Sequence, residues 1–233
     1  MRINPWVIAG GVGALLLLLS RKAIAQAGSA VVEGVKEDLK LKRIVDTAED
    51  YNIPPAVALA IADVESGGGS GFAKDGKMII RFEPHIFKDQ TEKIMGKEVA
   101  PPLFKRGGQK EEWDMLNAAI AVNREAALKS ISMGMFQIMG FNHKLVGYPD
   151  VESMFAAYST DQKAQIKGFF DFCTKVKGNE KQGAPDIRLD EAARKGLWTV
   201  FARGYNGKGQ SGYDTKMKKR YEAWVKQGYK GIA

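Results

Sequence analysis

The chain is poor in the residues that most often mark metal or redox chemistry, with one cysteine and two histidines among 233 residues. A single cysteine, Cys173, excludes an intramolecular disulfide, a thiolate zinc site and a CxxC redox pair. Its setting in Phe169-Phe170-Asp171-Phe172-Cys173 reads as a buried, inert thiol. A zinc amidase or peptidase would have to lean on His85, His143 and Glu83, with no convincing third ligand; structural hydrogen bonding accounts for both histidines. No metal and no cofactor are expected. Eight prolines and 26 glycines without low-complexity tracts exclude a fibrous or disordered chain.

Acidic residues are also fewer than basic ones, 27 against 35, for a net charge of +8. Residues 203–233 hold eight basic and two acidic side chains, so most of the excess is local. Lys216, Lys218, Lys219 and Arg220 predict attraction to an anionic wall or envelope, although a solvated helix face explains the same run.

Ile3 to Ser20 is an 18-residue stretch without a charge. As a helix it spans about 27 Å, just short of a bilayer core of roughly 30 Å. Arg21 and Lys22 directly after it favour an uncleaved anchor over a cleaved signal, although Ala23-Ile24-Ala25 resembles a cleavage site. The same two residues mildly favour a cytoplasmic C-terminus on the positive-inside count. The expected organisation is a transmembrane or signal-anchor helix over 1–22, a tether over 23–42 that also reads as a weakly amphipathic helix, and a domain over 43–233.

Within the domain, Ile53-Pro54-Pro55 stops one helix and starts the next, since proline suits a first helical turn. Residues 56–66 are apolar almost all round and predict a buried central helix, ended by Gly67-Gly68-Gly69. Asp75-Gly76 followed by Lys77 to Glu83 predicts a hairpin over 72–87. Further helices are expected over 111–129, 151–158, 160–176, 190–205 and 215–227. The fold expected is mostly α with one small β-hairpin after a central helix.

Three segments suit chemistry on a sugar. Glu65 ends the apolar helix, where desolvation and the helix C-terminal dipole favour the neutral acid that protonates a glycosidic oxygen. An isolated helix-terminal glutamate would ordinarily just reach solvent. Ser132-Met133-Gly134-Met135-Phe136-Gln137-Ile138 combines a glycine that permits close approach with an uncharged amide. Ala202-Arg203-Gly204-Tyr205-Asn206-Gly207 sets an aromatic and an amide at a helix end. Each alone occurs often by chance.

In this order the three resemble the goose-type lysozyme and lytic transglycosylase superfamily, and more closely the phage N-acetylmuramidase family. The matching segments are VESGGGSGF, IIRFEPHIF, AALKSISMGMFQIMGFNHKLVGY, and FARGYNG followed by YDTKMKKRY, over residues 53–221. Two positions depart from the family pattern: Pro84 stands where arginine is usual, and Met133 where tryptophan is. The resemblance implies a lysozyme-like domain, Glu65 as general acid, and Met135, Phe136, Gln137, Tyr205 and Asn206 as substrate-binding residues. Glu83 is the first candidate for a second carboxylate and Asp75 the second, although an Asp-Gly turn explains Asp75 fully. A retaining glycosidase wants the pair about 5–5.5 Å apart and an inverting one about 6.5–9.5 Å.

The function implied is cleavage of the β-1,4 bond between N-acetylmuramic acid and N-acetylglucosamine in peptidoglycan by a phage lysin. The alternatives are a lytic transglycosylase giving a 1,6-anhydro product, and a membrane-tethered, virion-associated wall-binding component. Expected partners are peptidoglycan and, through the N-terminal helix, the host inner membrane, with the catalytic domain facing or released to the periplasm. The anchor resembles a signal-arrest-release segment. No nucleic-acid partner is expected.

Overall fold

A computed structural model describes residues 21–67, 69–101, 107–178, 185–206 and 212–232. The expected span at 3–20 lies outside the described residues; among these, no helix is long and apolar enough to cross a membrane. The chain divides into two compact units, 1–42 and 43–233. Helix α1, Arg21–Asp50, takes in the segment expected as a tether or weakly amphipathic helix. In the first unit Glu37 and Lys40 pair at 2.6 Å one turn apart.

In the second unit, α1 buries Ile44 and Ala48. The chain then reverses at Asn52, whose φ of +54° is one that asparagine tolerates better than most side chains. Helix α2, Pro55–Ser66, starts with proline in its first turn and ends at Gly67 in the left-handed conformation. Pro55 to Ala62 are all buried, which makes α2 the central helix the sequence predicts. It lies against the last helix among the described residues, α10, Tyr213–Lys226. Met217 is the buried residue of α10, Trp224 Nε1 donates to Asp63 at 3.0 Å, and the Ala56 amide donates to the Lys230 carbonyl at 3.1 Å.

The β structure is larger than the single hairpin expected. The Asp75-Gly76 turn does form, with the Lys77 amide donating to Asp75 and Phe72 bridging Met78. The extended run after it, however, forms strand β1, Ile80–Phe82, in a three-stranded antiparallel sheet with β2, Ile131–Met133, and β3, Ile138–Met139. Ile80 faces Met133 and Phe82 faces Ile131. The partner strand thus comes from about 50 residues onward, out of the segment read only as a site motif.

Helix α3, Pro84–Met95, was not expected; Pro84 occupies its first turn and Glu83 its N-cap position. The helix expected over 111–129 is two, α4, Gln109–Val122, and α5, Arg124–Lys129. Asn123 adopts extended backbone between them and its side chain accepts from the Ala126 amide at 2.8 Å, capping α5. Next come α6, Val151–Thr160, and α7, Gln162–Lys175. The helix expected over 190–205 also divides, into α8, Leu189–Arg194, and α9, Trp198–Asn206, with Gly196 at φ +63° between them. The aromatic core joins Phe136, Phe169, Phe170 and Phe201, with Phe136 stacked on Phe169 at 4.1 Å.

Candidate active site

Glu65 sits in the last turn of α2, half-buried, on a helix held by its fully buried first two turns. Ser66 turns its hydroxyl back to the Ala62 carbonyl at 2.6 Å, and Gly67 ends the helix, so the carboxyl projects from a rigid terminus. Its charge is felt by Tyr205 on α9 and Cys173 on α7. Burial first, and Glu65 second, push the Tyr205 hydroxyl well above its ordinary range, so this group remains a hydrogen-bond donor.

The Tyr205 hydroxyl donates to the Phe136 carbonyl at 2.7 Å, which joins the third motif to the second beside the first. The turn between β2 and β3 is pinned at several further points. Gly134 has φ +71° and its amide donates to the Ile79 carbonyl at 2.8 Å. Gln137, itself at φ +51°, accepts from the Ser132 hydroxyl at 2.8 Å and donates to the Gly134 carbonyl at 2.8 Å. A non-glycine residue in the left-handed region is held there by its surroundings, and these side-chain bonds supply the hold.

The Gln137 amide, expected to meet substrate, is thus engaged within the turn. Met135 and Phe136 are each 2 % exposed; both belong to the core, with the Met135 amide donating to Gln165 and the Phe136 carbonyl accepting from Tyr205. Asn206 ends α9, and its side chain lies outside the described residues. Met133 is fully buried in β2.

Gln165 on α7 is a positioning residue that the sequence did not single out. It is 1 % exposed, accepts from the Met135 amide at 2.7 Å and donates to the Tyr158 carbonyl at 2.7 Å. Any side chain at Gly71 or Gly134 would collide with it, so both glycines are close-approach sites as well as positive-φ ones. The only local signal is a glutamine on the apolar face of a helix, spaced with Ile166 and Phe169.

Glu83, at the junction of β1 and α3, is half-buried; its main-chain amide donates to the Ser130 carbonyl at 2.9 Å and its carboxylate pairs with Arg81 at 3.0 Å. Asp75 is exposed in its turn, as the Asp-Gly pair implies. His85 is exposed near Glu83, while His143 is buried with Nδ1 3.2 Å from the Gly140 carbonyl. Among the described residues no three metal-ligating side chains cluster. Cys173 is buried, and burial, then Asp190 and Glu65, push its thiol well above the ordinary range; it is no nucleophile.

A family model for N-acetylmuramidase matches residues 54–225, which takes in Glu65, the β2–β3 turn and Tyr205. The chain belongs to the N-acetylmuramidase family. It is a glycoside hydrolase acting on peptidoglycan. Among solved structures it is similar to the crystal structure of a Burkholderia AP3 phage endolysin, at 28 % identity and a TM-score of 0.68, over 81 % of this chain and 71 % of that one. No curated protein matches the sequence. The family match extends across α10 to residue 225, so the helix that covers α2 belongs to the muramidase domain.

Proposed function

We propose that this member of the N-acetylmuramidase family is a phage lysin that hydrolyses the β-1,4 bond on the reducing side of N-acetylmuramic acid, with Glu65 as the general acid. The observation that supports this assignment is the convergence of three sequence motifs. Glu65 at the end of α2 acts electrostatically on Tyr205, and Tyr205 holds the main chain of the β2–β3 turn. An acid at a fixed helix end, tied through Tyr205 to a turn with constrained backbone, suits protonation of the leaving oxygen of a sugar held in place.

Glu83, paired with Arg81 at 3.0 Å, is the proposed second carboxylate, activating water or stabilising the developing positive charge. Met135, Phe136 and Gln137 shape the turn that borders the proposed site, with Tyr205 and Asn206 beside it. The domain acts on the periplasmic side of the host inner membrane, anchored through or released from the segment at 3–20. Nucleic acid is not a partner.

Digestion of purified sacculi followed by mass spectrometry tests the reaction. Reducing N-acetylmuramic ends are expected; 1,6-anhydro ends would replace the hydrolase with a transglycosylase. Fractionation of expressing cells tests the location: full-length protein in the membrane fraction, cleaved by external protease in spheroplasts, is expected. Protection from that protease would overturn the periplasmic side.

A further inference from the structure

The segment that follows Glu65 has little with which to hold itself. Four of the five residues from Gly67 to Gly71 are glycine, and Ser70 is the other. Glycine loses the most backbone freedom on ordering, so such a segment stays fixed only through bonds from its surroundings. The Gly69 amide donates to the carbonyl of Ser66, the neighbour of Glu65, at 3.0 Å, and the Gly71 carbonyl accepts from the Ile79 amide at 2.9 Å. Gly71 lies so close to the Met135 amide that a side chain there would collide with it. The segment therefore runs from the end of the acid-bearing helix to the β2–β3 turn.

Between those ends a side chain from α7 holds it. Gln162 Nε2 donates to the Ser70 carbonyl at 2.9 Å, and Gln162 Oε1 accepts from Arg43 Nη1 on α1 at 2.9 Å. A guanidinium only donates and a carbonyl only accepts, so the amide between them has a single orientation that satisfies both. The Arg43 charge also polarises the amide and strengthens its N–H as a donor. Gln162 is buried at the first position of α7, whose start is capped by Asp161 accepting from the Lys163 amide at 2.7 Å. One turn further along α7, Gln165 holds the Met135 amide. Two glutamines on one helix thus tie down the segment after Glu65 and the β2–β3 turn.

We infer that Arg43 and Gln162 are a pair of positioning residues for the muramidase reaction, acting on Glu65 through the glycine-rich segment. The inference rests on the reading above in which Glu65 is the acid. Both residues lie in the second unit, and Arg43 precedes residue 54, where the family match begins. A helix outside the matched segment thus takes part in holding the site. Helix ends open more readily than helix middles. Freed of its bond at Ser70, the glycine-rich segment lets the last turn of α2 open, and the Glu65 carboxyl moves with it. A misplacement of about 1 Å can cost roughly a hundredfold in rate. The pair acts on the placement of the acid and not on the hold on the sugar, so turnover is affected and substrate binding is not.

The test measures kcat and KM on soluble glycan strands, with the urea midpoint, for the wild type, Gln162→Leu, Gln162→Glu, Arg43→Leu, Arg43→Lys and the double leucine variant. Gln162→Leu is expected to lower kcat of the folded enzyme roughly tenfold or more, with KM little changed. Gln162→Glu keeps an acceptor for Arg43 but sets a carboxylate against the Ser70 carbonyl, so kcat should fall although the tie to α1 remains. Arg43→Leu should lower kcat less, and Arg43→Lys, which keeps a donor, should recover most of that loss. The double variant should be no slower than Gln162→Leu alone. A clamp that serves stability only would lower the urea midpoint and leave kcat of the folded enzyme at the wild-type value, which would overturn the inference. So would a rise in KM with kcat unchanged, or losses that add in the double variant. Should Gln162→Leu not fold, the exposed Arg43 decides: wild-type kcat in Arg43→Leu, or no recovery in Arg43→Lys, would overturn the pair. Wild-type enzyme that cleaves no glycan strand would instead remove the muramidase reading itself.

Discussion

The Tyr205 hydroxyl donates to the main-chain oxygen of Phe136 across 69 residues of chain, at 2.7 Å. This bond fixes α9 to the β2–β3 turn. Tyr205→Phe keeps the ring and its contacts with Phe169 and Phe201 but leaves the carbonyl without that donor. A loss of about 1–2 kcal/mol in urea unfolding is expected, with a drop in activity larger than the stability change explains, because the turn is freed. Wild-type turnover in the folded variant would show that the bond is structural alone.

Gln165→Leu fills the same space while orphaning the Met135 amide and the Tyr158 carbonyl. Two buried groups left unpaired predict a loss of about 2–4 kcal/mol, read from the urea midpoint. Gln165→Glu keeps the acceptor toward Met135 and should recover part of that loss. Equal midpoints for the two variants would mean that the amide bond is not what counts.

Glu65→Gln preserves shape and hydrogen bonding but cannot give up a proton to the leaving oxygen. Activity should fall by roughly two to four orders of magnitude, with circular dichroism and sacculus binding retained. Undiminished turbidity clearing would remove Glu65 from the acid role.

Glu83→Gln and Asp75→Asn distinguish the two candidates for the second carboxylate. Glu83→Gln should lower kcat at least a hundredfold, by analogy with general base loss, while Asp75→Asn should act on the turn and leave kcat near wild type. The reverse pattern would reassign the role.

Stability should fall with rising pH through the Cys173 thiol. Burial raises its folded-state pKa, so above about pH 8.5 the unfolded chain loses a proton that the native state keeps. The contribution is fully present below that pH and declines above it. Cys173→Ala should therefore show a flatter decline in urea midpoint from pH 8 to 10 than the wild type. The native thiol should also resist aromatic disulfide reagents at pH 8 until the protein unfolds.

The buried helix was legible because its signals are local: two prolines open it, eight small or apolar residues fill it and glycines end it. The Asp75-Gly76 turn was legible for the same reason. The strand opposite β1 was not, since Ile131-Ser132-Met133 is too short to show a period and its pairing depends on a residue about 50 positions away. Asn123 hid a helix break inside a continuous helical pattern, because its capping side chain looks like any other polar residue until the backbone turns. At the site, Glu65 and Tyr205 stood out by residue type, whereas Gln165 did not; its role exists only where α7 meets a turn 30 residues earlier. Gln137 was found by type but is occupied by its own turn.

Asp63 and Trp224 are joined across 161 residues, and this separation sets a schedule for the protein as it is made. The helix that bears Glu65 leaves the ribosome early, with its apolar face open, and waits for α10 to arrive from much later in the chain before that face is covered. A ribosome stalled near residue 200 would display Glu65 without its supporting wall. Competence to cut is therefore acquired late in synthesis, since a nascent chain carries Glu65 before the fold around it is complete.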